Sequence, residues 1–221
     1  MRYDNIKYGS FVKRLNRFTA IVSVDGREEL VHVKNTGRCL QVLFEGAEVA
    51  LVPAGSAARK TAYDLVSARG EHGWVNIDST APNVVAGEWL AEQGFDIVKP
   101  EYSYGSSRID FYMERGSERF LMEVKGCTFR IGDVGYFPDA PTERGIKHLS
   151  ELSRAVSEGY TAIAAYVIPM NGVAEVRPNA DIHPEYAAAF EAAKKAGVKV
   201  LFLRCMCDSD ILNVTSAVYS E

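Results

Sequence analysis

Cysteine is scarce in this chain, with four in 221 residues, at positions 39, 127, 205 and 207. Two of them one residue apart do not make a zinc site, and nothing pairs the four into a disulfide frame. The thiols fit a reducing cytoplasm. Long apolar runs are missing too. The longest, residues 161–168, is strand length and falls well short of the roughly 18 residues of a membrane span. The opening Met1-Arg2-Tyr3-Asp4 carries an acid and no apolar core, so no secretory signal is expected. Internal repeats and low-complexity segments are also lacking. What is present, 47% hydrophobic and 24% charged residues, is ordinary for a soluble globular protein and excludes a fibre or a disordered tail. The length suits one large domain or two small ones.

An overall basic excess is absent as well: the net charge is −4, which by itself argues against nucleic acid. The distribution is less simple. Residues 1–82 hold 11 Lys+Arg against 9 Asp+Glu, and residues 83–221 hold 14 against 20. An acidic half holds phosphates poorly alone but can hold a divalent cation.

Residues 1–80 read as short strands separated by turns, which predicts a small β-barrel. A long strand is expected over 11–24, with Asp25-Gly26 as a hairpin turn. Further strands are expected over 30–33, 39–44, 48–52, 62–68 and 74–77, and 56–61 is the most loop-like stretch. After residue 80 the pattern changes. A helix over 84–93 is closed by Gly94, a short strand follows at 95–98, and a hairpin joins 107–115 to 119–125. A Gly-, Pro- and Asp-rich loop is expected over 126–142. Next come a helix over 143–158, a buried strand over 161–168, a helix from Pro184 to 195 and a last strand over 198–203. This alternation predicts an α/β layer for residues 81–221.

The stretch Arg108-Ile109-Asp110-Phe111, followed by Glu123-Val124-Lys125, carries the chemistry. Alternation puts Glu123 and Lys125 on one face of a strand, and a tight hairpin can bring Asp110 beside them. Two converging carboxylates are hard ligands of the kind Mg²⁺ takes, and a lysine two residues on can orient a water or stabilise phosphate charge. Charges two apart on a strand usually mark a solvated face. Here, however, they interrupt apolar strands, where an unpartnered acid is costly. Glu88, on the helix just before, is a candidate third carboxylate or else a surface residue. On the 143–158 helix, Arg144, Lys147, His148 and Glu151 cluster opposite Ile146, Leu149 and Val156. That side is either a phosphate-contacting face or a solvated one. In the front half, Lys13, Arg14 and Arg17 interleave with Phe11 and Phe18, a pattern that suits a single-stranded nucleic-acid groove or any half-exposed strand.

Together these residues resemble the sugar fermentation stimulation protein A (SfsA) family, along nearly the whole chain. The landmarks are Lys13-Arg14-x-x-Arg17-Phe18, Asn35-Thr36-Gly37, Pro82-Asn83, Ser107-Arg108-Ile109-Asp110-Phe111 and Glu123-Val124-Lys125. The longest is Phe137-Pro138-Asp139-Ala140, Thr142, Arg144-Gly145 and Lys147-His148-Leu149. The resemblance implies an N-terminal OB-like β-barrel over 1–80 and a C-terminal α/β domain like the PD-(D/E)xK nucleases over 81–221. It implies DNA binding, and RNA is a further expected partner. On the superfamily pattern Asp110 and Glu123 match metal ligands for Mg²⁺ or Mn²⁺, and Lys125 and Glu88 match catalytic positions. Lys13, Arg14, Arg17, Arg144, Lys147 and His148 are the expected nucleic-acid contacts. The expectation is a metal-dependent nuclease, and its rival is a non-catalytic DNA-binding regulator linked to sugar metabolism.

Overall fold

The structure, a computed structural model, describes residues 1–55, 59–105 and 107–220. Part of the loop-like stretch expected at 56–61 therefore lies outside the described residues. Six strands make up the front half: β1 (Lys7–Arg14), β2 (Thr19–Val24), β3 (Arg27–Val33), β4 (Glu48–Pro53), β5 (Tyr63–Gly70) and β6 (Gly73–Asn76). Their order is β3-β2-β1-β4-β5-β6, and a parallel β3–β5 pairing closes the first five into a barrel. The pleat buries alternate residues, so Ala20, Val22 and Val24 of β2 point inward. Asp25 and Gly26 both take positive φ, 51° and 78°, which the two-residue hairpin turn requires.

Two barrel expectations are corrected. The strand expected over 11–24 is two strands, because Asn16 Oδ1 accepts the N–H groups of Phe18 (2.8 Å) and Thr19 (3.0 Å) and turns the chain at 15–18. The segment 39–44 is a turn rather than a strand. Cys39 has φ 51°, and its carbonyl accepts from Val42 and Leu43 at 3.1 and 2.9 Å. The turn buries Val42 and Leu43 without any strand pairing, and a short apolar run does not distinguish the two outcomes.

The second half contains α1 (Ala81–Ala91), β7 (Ile97–Tyr104), β8 (Ser107–Arg115), β9 (Glu118–Gly126), β10 (Phe129–Ile131), β11 (Val134–Phe137) and α2 (Glu143–Ser157). It continues with β12 (Thr161–Ile168), β13 (Glu175–Pro178), α3 (Pro184–Lys195), β14 (Lys199–Cys207) and β15 (Leu212–Tyr219). A sheet of order β15-β14-β12-β9-β8-β7 is parallel across β9, β12 and β14 and antiparallel outside them. On one face Val85, Ala86 and Leu90 of α1 meet Met122, Val124, Ile163 and Val167. On the other Leu149 and Leu152 of α2 and Phe190 of α3 meet Ala162, Ala164 and Tyr166. Cover on both faces explains why β12 is an unbroken apolar run.

Helix α1 begins three residues earlier than expected, with Pro82 in its first turn, where the missing N–H costs nothing. Strand β7 is longer than the expected 95–98. The expected 126–142 loop contains β10 and β11, which join β13 in a separate small sheet. The expected last strand extends to Cys207, and β15 follows it. The two halves interlock. Asn76 N–H donates to the Pro169 carbonyl (3.0 Å), and the Gln41 side chain bonds both the N–H and the carbonyl of Arg130. A cleft of about 830 Å³ opens between them. Among the described residues, no helix is long and apolar enough to cross a membrane.

Candidate active site

The β8–β9 ladder ends at the Phe111–Met122 pair. The next residues on the two strands are Asp110 and Glu123. Asp110 Oδ2 accepts the Val124 N–H at 2.7 Å, and its Oδ1 accepts from Asn83 Nδ2 of α1 at 2.9 Å. A side-chain carboxylate thus takes up the amide at the point where the strands fork. On β9, Lys125 Nζ donates to Glu123 Oε2 at 3.0 Å. His148 Nδ1, from α2, lies 2.6 Å from that same oxygen and 2.9 Å from Lys125 Nζ. Arg144 Nε donates to His148 Nε2 at 3.2 Å. A ring nitrogen that accepts leaves the proton on the other one, so Nδ1 donates to Glu123.

The helix that delivers His148 is fixed at its start. Thr142 Oγ1 accepts the Gly145 N–H at 3.1 Å, an N-cap bond. Gly145 packs so closely on Tyr186 that a Cβ there would sit 2.9 Å from the ring.

Burial pushes the Asp110 carboxyl above its ordinary range and the neighbouring Glu123 charge adds to this, while the Val124 N–H and Lys125 oppose it. Burial pushes Glu123 up as well, but the His148 hydrogen bond and the Lys125 charge outweigh it and hold the carboxyl below its ordinary range. The two acids therefore act as one electrostatic unit with their affinities for a proton driven apart. The Glu123 side chain is 2% exposed, and its Oε1 has no hydrogen-bond partner among the described residues. A bare buried carboxylate oxygen is costly, and it is a natural ligand for a hard cation. The donor set fits Mg²⁺ or Mn²⁺, since Mg²⁺ commonly takes one or two carboxylates and fills its remaining positions with water and phosphate. Among the described residues, no three His, Cys, Asp or Glu side chains converge as a ready-made metal cluster.

Glu88 does not join this group, which corrects its expected place at the site. It is 54% exposed and pairs with the Met1 amino group at 2.8 Å. Asn83 already faces Asp110, and five residues further along a helix lies about 140° around the axis. His148 is corrected too: it is buried against Glu123 and is not available at the surface for phosphate. Asn83, and His148 as the partner of Glu123, are site residues that pattern reading missed. The Pro82-Asn83 landmark was the one available signal for Asn83.

Arg14 is likewise not a free phosphate ligand. Its guanidinium donates to the carbonyls of Asn16, Arg17, Asn35, Gly37 and Arg38 at 2.6–3.1 Å, and so clamps the 15–18 turn to the 35–38 loop. Lys13 and Arg17 are exposed, and Arg17 sits over the Phe18 ring at 5.8 Å. On α2, Arg144 is exposed but holds His148, and Lys147 pairs with Glu151 at 3.7 Å.

Residues 80–210 match the family model described as "Sugar fermentation stimulation protein RE domain", and residues 12–77 match "SfsA N-terminal OB domain". A "Sugar fermentation stimulation protein homolog" of Desulfitobacterium hafniense is 45% identical over 213 residues, covering 95% of this chain and 93% of the relative. One from Methanothermobacter thermautotrophicus is 40% identical over 207 residues, covering 91% and 86%. Among solved structures, "The structure of Pyrococcus Furiosus SfsA in complex with Ca2+" superposes with a TM-score of 0.81 at 26% identity, covering 99% of this chain and 95% of that one.

Proposed function

The chain belongs to the sugar fermentation stimulation protein (SfsA) family, and on that premise we propose that it binds nucleic acid and hydrolyses its phosphodiester bonds with Mg²⁺ or Mn²⁺, in the manner of a PD-(D/E)xK nuclease. One observation carries the reading: a carboxylate caps the strand fork beside a buried glutamate that has one bare oxygen and a lysine on the other. The Ca²⁺ complex of the Pyrococcus furiosus relative supports a hard-cation site in this fold.

Asp110 and Glu123 would hold the cation. When bound, it supplies Lewis acidity toward a phosphoryl oxygen and lowers the pKa of a water. Asn83 and the Val124 N–H fix the Asp110 carboxylate in place. His148 holds one oxygen of Glu123 and leaves the other, buried and without a hydrogen-bond partner among the described residues, as the oxygen a cation would take. Lys125, tied to the same glutamate, orients the attacking water and stabilises charge growing on the phosphate. The OB barrel, with Lys13 and Arg17 at its surface, supplies sequence-independent contacts to the backbone.

The test is metal-dependent cleavage of labelled DNA and RNA, with Asp110→Ala as control. Wild type should cut in Mg²⁺ or Mn²⁺ and the variant should not. Cleavage by Asp110→Ala equal to wild type would refute the assignment. A second reading, a DNA-binding protein without cleavage, is favoured by the charge balance at Glu123, which Lys125 already neutralises in part. Metal-linked stabilisation separates the two: an ion held by the acids raises the melting temperature by mass action.

A further inference from the structure

The cleft between the two halves is lined by neither Asp110 nor Glu123, yet it ends beside them. Gly126, which follows Lys125, and Pro82, which precedes Asn83, both form its wall. Its barrel side is formed by the 14–17 and 35–38 loops, with Arg17 and Arg38. Both arginines are exposed, and among the described residues neither guanidinium has a hydrogen-bond or ion-pair partner. Arg14, which also lines the cleft, holds these two loops together through their carbonyls. The acids in the cleft are already engaged. Asp78 accepts from Lys34 at 2.6 Å, and Asp139 accepts the Cys39 N–H at 3.3 Å. Asp139 keeps its charge, but Arg14, Arg17 and Arg38 outnumber Asp78 and Asp139 on the lining, which leaves the cleft wall net positive. Two large apolar side chains on the same wall, Leu15 and Leu40, are 50% and 70% exposed.

From this arrangement we infer that the cleft receives an unpaired strand of nucleic acid and leads it from Arg17 and Arg38 to the end of β9. The inference deepens the nuclease reading and rests on it. Free guanidiniums on the barrel side suit phosphates, and exposed apolar surface beside them suits bases and sugars. At about 830 Å³ the cleft lies in the range of about 300–1,000 Å³ that takes groups of small-molecule size. That volume takes a few unpaired nucleotides. The substrate class is single-stranded nucleic acid, or the frayed or overhanging end of a duplex.

The test is fluorescence anisotropy in EDTA, where no cutting occurs, with a labelled oligothymidylate and a blunt duplex of equal length. The single strand should bind at least about tenfold more tightly than the duplex. Arg17→Ala combined with Arg38→Ala should weaken single-strand binding and flatten its salt slope by about 1.4, since each contact to a single strand contributes about 0.7. Leu15→Ser combined with Leu40→Ser removes exposed apolar surface from the cleft wall without changing charge. It should weaken single-strand binding while leaving the melting temperature unchanged. Equal affinity for the two forms, or variants that bind the single strand like wild type, would overturn the cleft inference and leave the cleavage reading standing. Failure of the full-length protein to bind any nucleic acid would overturn both.

Discussion

The barrel and the α/β domain treat charged side chains in opposite ways. In the barrel, Arg14 is directed at main-chain carbonyls, so its charge serves architecture. In the α/β domain, Asp110, Glu123, Lys125, His148 and Arg144 are directed mainly at one another, and one carboxylate oxygen is left bare. A network closed on the backbone stabilises a loop, and a network with an open valence is equipped for chemistry. The contrast separates charged residues that look alike in a sequence.

The sharpest way to break this contrast is at Lys125. Lys125→Ala should lower cleavage about 10²–10³-fold, as loss of a transition-state donor does, while the metal-linked rise in melting temperature persists. Loss of both would make Lys125 a structural partner of Glu123 instead. Next, Asn83→Ala should weaken Mg²⁺ or Mn²⁺ binding about 10–100-fold, the usual effect of freeing a ligand from its outer partner. Isothermal calorimetry with the metal reads this directly, and an unchanged affinity would remove Asn83 from the site. Arg14→Ala should destabilise the protein by about 1–3 kcal/mol, because carbonyls lose their donor. Urea unfolding measures that cost. Stability unchanged beside a flatter DNA salt slope would return Arg14 to the nucleic-acid interface.

The smallest effect concerns Asp64 of the barrel. Burial pushes its carboxyl up, but hydrogen bonds from Arg59 and His32 outweigh this and hold it below the ordinary range. A folded-state pKa below the unfolded one means that its stabilisation is present above the unfolded value, about 3.9, and is lost as pH falls through the folded value. Asp64→Asn should cost about 1 kcal/mol or less near neutrality and flatten the acid limb of the urea midpoint against pH. An acid limb as steep as wild type would assign it to other carboxylates.

Legibility in the sequence tracked the range of the interactions. Strands β8, β9 and β12 and helix α2 were readable because local alternation or periodicity coincides with what packs on them. Strands β10, β11 and β13 were not, since each is only three or four residues long; β10 and β11 form a short local hairpin, and β11 meets β13 only through a parallel pairing that sets Val134 opposite Glu175. The extension of β7 was masked by Lys99-Pro100-Glu101, and Glu101 takes φ 54°. Asp110, Glu123 and Lys125 could be named from spacing alone. His148 could not be placed correctly, because the periodicity of α2 sets it with Arg144 and Lys147 and nothing local shows that Glu123 lies beneath it. The role of Arg14 is hidden for the same reason: its five carbonyl partners sit on two loops that meet only in the fold.

The hydrogen bond from Val124 to Asp110 also gives the molecule a built-in spectroscopic probe. An amide whose acceptor is a carboxylate senses every change in that carboxylate's electron density. A cation drawing charge from Asp110 lengthens and weakens the bond, so the Val124 amide proton should move upfield during a metal titration. In Asp110→Asn the same resonance should stay still. A single cross-peak in a nitrogen–proton correlation spectrum can then follow the state of the fork without substrate, product or turnover.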